Sequence, residues 1–116
     1  MHDPARIELV FFRTAAGAEP VQEWLVGLDA DKRRLIGQDL MRVQFRWPIG
    51  MPLVRPLGKG LFEVRANLPD TSTARVLFCF YEGKLVALHG FVKRSQTIAP
   101  ADLRIARDRK RDLENG

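Results

Sequence analysis

The tightest constraint on this chain is a change of hydrophobic period near its middle. Before the prolines at 48, 52 and 56, apolar residues recur at helical spacing; after them they alternate. Residues 61–66 (LFEVRA), 74–81 (ARVLFCFY) and 84–93 (KLVALHGFVK) read as three successive strands. Glu82-Gly83 is a tight turn between the last two, and Asn67 to Thr73 is a longer turn around Pro69-Asp70. Connections this short cannot join parallel neighbours, so the three strands form an antiparallel meander.

The first half reads differently. RIELVFFR (6–13) is an apolar run with strand character, and Thr14 to Ala18 is a small-residue turn. Glu19-Pro20 opens a helix, with Val21, Trp24, Leu25 and Leu28 as its buried stripe. Asp29 and Asp31 are cap candidates for a second helix. Ile36, Leu40, Val43 and Trp47 mark the apolar face of that helix, and Lys32, Arg33, Arg42 and Arg46 its other face. The gap between the helices is short, which predicts an antiparallel helical hairpin. Pro48, Pro52 and Pro56 make a stiff connection, and a last helix starts between Thr97 and Pro100. The expected architecture is α+β: an antiparallel sheet with the N-terminal helical hairpin on one face and a C-terminal helix, all in a single domain over 1–116.

The 116 residues suffice for one core but not for a deep enclosed pocket, so a site is expected on an open face. Residues 1–52 carry 7 Lys/Arg and 7 Asp/Glu, against 12 and 7 in residues 53–116, so the net charge of +5 lies wholly in the second half. A local basic excess attracts phosphates, although a well-solvated surface has the same composition. The charged, proline-containing start from Met1 to Ile7 is unlike a signal peptide, and no apolar run reaches membrane-spanning length. The lone Cys79 fits a reducing compartment, so the expected location is the cytoplasm.

Strand alternation assigns side chains to faces. Phe62, Val64 and Ala66, then Val76, Phe78 and Phe80, then Val86, Leu88 and Val92 are expected under the helices. The opposite, mixed face collects Glu63, Arg65, Arg75, Tyr81, His89 and Lys93. Such a face suits a phosphodiester, because Arg and Lys hydrogen-bond its oxygens. Exposed strand positions are also commonly charged for solvation alone, Glu63 can simply pair across strands, and a single His89 is ordinary as a satisfied, partly buried residue. Other chemistries lack their motifs. His2 and His89 are not spaced as metal ligands, Gly58-Lys59-Gly60 is not a P-loop, no serine has a nucleophile-elbow setting, and no cofactor is implied. Cys79, inside an apolar run, reads as an inert thiol.

The segments PLGKGLFEVR (56–65), ARVLF (74–78) and LHGFVKRSQTIAPADLRIARDR (88–109) resemble the RelE/ParE toxin superfamily, and within it the HigB-type, phage-derived branch. The matching positions are Leu57, Gly58, Gly60, Leu61, Glu63 and Arg65, then Arg75, then Gly90, Phe91, Lys93, Arg94 and Pro100. Arg94 stands where lysine is common. The resemblance implies a RelE-like fold and a type II toxin that cleaves mRNA on the ribosome. It also implies silencing by a helix-turn-helix, HigA-like antitoxin, with operator DNA reached only through that antitoxin. Metal-free RNA cleavage needs a base near the 2′-hydroxyl, cations on the phosphate and help for the leaving 5′-oxygen. Arg65, Arg75, Lys93 and His89 are the catalytic candidates; Lys93, beside Arg94, and His89 are the alternative bases. Arg55, Lys59 and Arg94 are the candidates for RNA contact, and Arg104, Arg107 and Arg111 form a basic helix face that can meet an acidic partner. Two other readings remain open: a non-enzymatic, ParE-like gyrase inhibitor, and an RNA-binding module without catalysis.

Overall fold

The computed structural model describes residues 6–116; His2 and the start of the charged N-terminal segment lie outside them. The architecture is α+β, in the order β1 (Leu9–Phe11), α1 (Pro20–Val26), α2 (Ala30–Arg46), β2 (Val54–Gly58), β3 (Leu61–Asn67), β4 (Thr73–Tyr81), β5 (Lys84–Lys93) and α3 (Pro100–Asn115). The five strands form one sheet in the order β1-β5-β4-β3-β2. Among the described residues, no helix is long and apolar enough to cross a membrane.

Local chemistry explains most boundaries. Pro20 sits in the first turn of α1, and the Asp29 carboxylate caps α2 by accepting from Lys32 N at 2.9 Å. The β4–β5 turn has Glu82 and Gly83 both at positive φ, the conformation that lets a two-residue hairpin follow the strand twist. The meander of β3, β4 and β5 is antiparallel as expected.

Several expectations need correction. The sheet is mixed rather than antiparallel, because β1 lies parallel to β5, with Leu9 opposite Leu85. Strands so distant in sequence have no short turn to dictate direction. The proline-rich connection contains an edge strand: β2 pairs with β3 from Val54 opposite Val64, and Pro56 is tolerated because an edge strand leaves one side unpaired. The two N-terminal helices share a face of the sheet, but each packs on strands, α1 over β5 and β1 and α2 over β3, rather than mainly as a hairpin.

A further correction concerns β5. Leu77 faces His89 whereas Phe78 faces Ala87, so one residue, Leu88, is extra. This bulge reverses the alternation. Leu85 and Ala87 therefore face α1 and α2, while Val86 and Leu88 face the other way. Gly90 also faces α1: a Cβ there would lie 2.4 Å from the Trp24 ring, so only glycine admits the indole. Phe80, expected in the core, is 50% exposed at the sheet margin, stacked against Trp47.

The sheet thus carries a core on each face. Val21, Leu25, Ile36, Leu40 and Val43 of α1 and α2 cover Val64, Val76 and Phe78. On the other face Leu61, Leu77, Cys79, Val86 and Leu88 meet Leu103, Ala106 and Leu113 of α3. The mixed face is apolar enough to need its own helix, so it is not open along its length. Two arginines tie α3 to the sheet's irregularities. Arg109 donates to the carbonyl of the bulge residue Leu88 at 2.7 Å, and Arg107 to Leu57 O at 3.2 Å beside the break in β2–β3 register.

Candidate functional site

Beyond its bulge, β5 turns His89, Phe91 and Lys93 toward α3. Pro100 starts that helix, and its first turn brings Asp102 over β5. One Asp102 oxygen lies 2.8 Å from His89 Nε2 and the other 3.4 Å from Lys93 Nζ. The three side chains are 15–25% exposed, close enough to the surface to meet a large ligand and dry enough to hold their geometry. Phe91 fills the space between, with its ring centroid 5.4 Å from that of His89 and 5.5 Å from Lys93 Nζ. Sequence reading missed Asp102. An acid in a helix's first turn is so common a dipole partner that nothing marked it as functional.

Arg75 lies next to this cluster but is not presented to solvent. It is 1% exposed, and Glu63, its ion-pair partner at 3.0 Å, is fully buried. Arg75 also donates to Ser95 O at 2.9 Å and Gln96 O at 3.1 Å. It thereby clasps the segment between β5 and α3, which sets where Asp102 falls. The expectation of Arg75 on an open face is corrected accordingly: with α3 and the segment before it folded over β4, the guanidinium is enclosed by protein. Arg55 closes the network from β2, with its Nη2 3.3 Å from the second Glu63 oxygen.

Arg65 stands directly opposite Arg75 in the β3–β4 register. It is partly exposed and donates to the Gln96 side chain at 3.1 Å. Gln96 therefore joins the two arginines, through its side chain to Arg65 and its carbonyl to Arg75. Arg94 is exposed and holds the β3–β4 turn, donating to Asp70 O at 2.7 Å and Thr71 Oγ1 at 3.0 Å. Asp70 is held down to about 2 by hydrogen bonds from the Ser72 hydroxyl and N–H, so it stays ionised for Arg94 and Lys32.

Lys59 is not part of this cluster. It sits exposed at positive φ on the β2–β3 turn, at the end of β3 opposite Asn67, whereas Lys93 pairs with Thr73, Asn67's own partner. Tyr81 likewise lies at the far end of β4, against the α3 side of the core. Of the basic helix face, Arg107 is engaged with Leu57 O and Arg111 pairs with Asp108, leaving Arg104 exposed. Burial pushes the Cys79 thiol up to about 11, in keeping with an inert core residue. Among the described residues, no three His, Cys, Asp or Glu side chains gather as metal ligands.

A search of curated proteins finds no match. The family model described as "Phage derived protein Gp49-like (DUF891)" matches residues 23–111, from α1 through most of α3, and so takes in every residue of the cluster. The chain belongs to this phage-derived Gp49-like family.

Proposed function

We propose that this protein is the toxin of a type II toxin–antitoxin pair and acts as a metal-independent endoribonuclease on translating mRNA. The Gp49-like family is of the RelE-like toxin type, and a toxin family implies an antitoxin partner. The observation that carries the enzymatic reading is Asp102 holding His89 and Lys93 together at a partly open edge of the sheet.

In the proposed reaction, the 2′-hydroxyl oxygen attacks the adjacent phosphorus and the bond from phosphorus to the 5′-oxygen breaks. The products are a 2′,3′-cyclic phosphate and a 5′-hydroxyl. His89 takes the 2′-proton, oriented by Asp102, which also stabilises the imidazolium that forms. Lys93 and Arg65 meet the charge developing on the phosphate oxygens, and Lys93 protonates the leaving oxygen. Arg75 positions the Ser95–Gln96 segment rather than touching the phosphate. In this reading Arg55 and Arg94 contact flanking phosphates, and Lys59 at the distant turn meets the ribosome or a remote part of the strand. Proton transfer by a positioned group contributes about 10²–10⁴-fold, and preorganised cations about 10²–10³ each. The protein works as a single RelE-like domain in the cytoplasm, of the HigB type, and is silenced by a HigA-like helix-turn-helix antitoxin that carries it to operator DNA.

The test is a translation extract programmed with a reporter mRNA. Fragmentation that requires ribosomes is the expected result. Intact mRNA together with inhibited DNA gyrase would replace this reading with the gyrase-binding one.

A further inference from the structure

A groove of about 650 Å³ opens at the corner of the sheet where β3 outruns β2. The cause is register: β2 begins at Val54, opposite Val64, so residues 65–67 of β3, paired with β4 on one side, have no strand on the β2 side. The connection after α2 closes part of that gap, with Arg65 N donating to Leu53 O at 3.1 Å. One wall is the flank of α2 beside its buried stripe, and the other is the end of β3.

The lining is chemically divided. Arg42 and Arg46 line it from α2 and Arg65 from β3, so basic residues stand on both walls. Leu35, Ile49 and Leu53 make an apolar floor. Gln38 and Asn67 add amides, and Asp39 adds a carboxylate that accepts from Arg42 at 2.6 Å. Arg65 Nε is buried without a protein partner.

We propose that this groove is a nucleotide-binding subsite that holds the RNA strand flanking the cleaved bond; this rests on the RNA-cleavage reading above. A nucleotide supplies what each part of the lining asks for. Its phosphate meets the arginines, its base covers the apolar floor, and its edge offers donors and acceptors to Asp39, Gln38 and Asn67. An acidic peptide would also satisfy the arginines, but it brings no planar base whose face covers the apolar lining while its edge meets Gln38 and Asn67. Arg65 connects the groove to the reacting cluster: it lines the one and, through Gln96, touches the segment that Arg75 holds beside Lys93. Asn67, Thr73 and Lys93 are successive register partners, so only about 10 Å separates β3 from β5 at this end of the sheet. A strand leaving the cluster reaches the groove by crossing Arg65.

The experiment compares binding of a short fluorescein-labelled single-stranded RNA by the full chain, by Arg42→Ala/Arg46→Ala, and by Lys84→Ala/Arg111→Ala. The last pair removes the same charge far from the groove. The groove variant should bind at least tenfold more weakly, with its log–log salt slope reduced by about 1.4, or 0.7 for each lost phosphate contact. The control pair should stay within twofold of the parent. Gln38→Ala and Asn67→Ala should change the order of preference among homopolymers. Equal losses in both double variants, no loss in the groove variant, or no binding by the parent would overturn the subsite. So would intact RNA affinity with loss of antitoxin binding, which would make the groove a peptide site. RNA binding through the groove without any cleavage would instead sink the enzymatic reading and leave the subsite standing.

Discussion

Replacing Arg75 with alanine separates a structural clasp from a catalytic contact. Arg75 and Glu63 form a buried ion pair at 3.0 Å, with exposures of 1% and 0%. Removing one member of such a pair costs about 3–5 kcal/mol, because the other charge stays buried without its partner. Arg55, 3.3 Å from the other Glu63 oxygen and 35% exposed at its side chain, offsets some of that, which favours the lower half of the range. For a domain of this size about 3–4 kcal/mol lowers Tm by roughly 12–16 °C, at ~4 °C per kcal/mol. The double variant Glu63→Leu/Arg75→Met removes both charges and retains volume, so it should melt within about 2 kcal/mol of the parent. Thermal melting by far-UV circular dichroism, with urea midpoints as a second measure, checks both. If Arg75→Ala melts within about 3 °C of the parent, or the double variant is less stable than the single one, the clasp is refuted. Arg75 would then be free to serve the phosphate directly.

Other outcomes follow from the same geometry. Phe78→Ala should cost about 3–5 kcal/mol and Phe80→Ala under about 1.5, since only the first is fully buried; equal costs would contradict the packing. Asp102→Asn should lower turnover about 100-fold and alter the pH–rate profile while leaving RNA affinity near the parent's, and an unchanged profile would remove Asp102 from the site. The folded Asp70 carboxyl, at about 2, lies below the usual aspartate value of 3.8, so its contribution to stability is present above about pH 4 and lost as pH falls through about 2. Asp70→Asn should flatten that limb of a urea-midpoint titration, and an unaltered slope would argue against the Ser72 interaction.

The sequence carried the strands of the meander, the Glu82-Gly83 turn and the stripes of α1 and α2, because those follow from local period and turn chemistry. It did not carry β2: Pro56 and the neighbouring prolines read as a breaker, and only the β3 partner makes an edge strand of Val54–Gly58. Nor did it carry the Leu88 bulge, since continuous apolar sequence in β5 looks the same in either register. That bulge moved Val86 and Leu88 to the α3 side while leaving His89 and Lys93 where simple alternation had put them. The candidate cations were visible as residue types, but their states were not. Whether Arg75 is exposed depends on where the segment after β5 folds, and Asp102 becomes a partner only once α3 docks.

The most direct test of the central claim is the rate of ribosome-dependent mRNA cleavage by His89→Ala, Lys93→Ala and Arg65→Ala, each first shown by melting to be folded. Cleavage should fall about 10²–10³-fold in the first two, with a cyclic phosphate at the product ends of the parent reaction, and less steeply in Arg65→Ala. Folded variants that all cleave at the parent rate would contradict the account and leave this edge of the sheet a binding surface only.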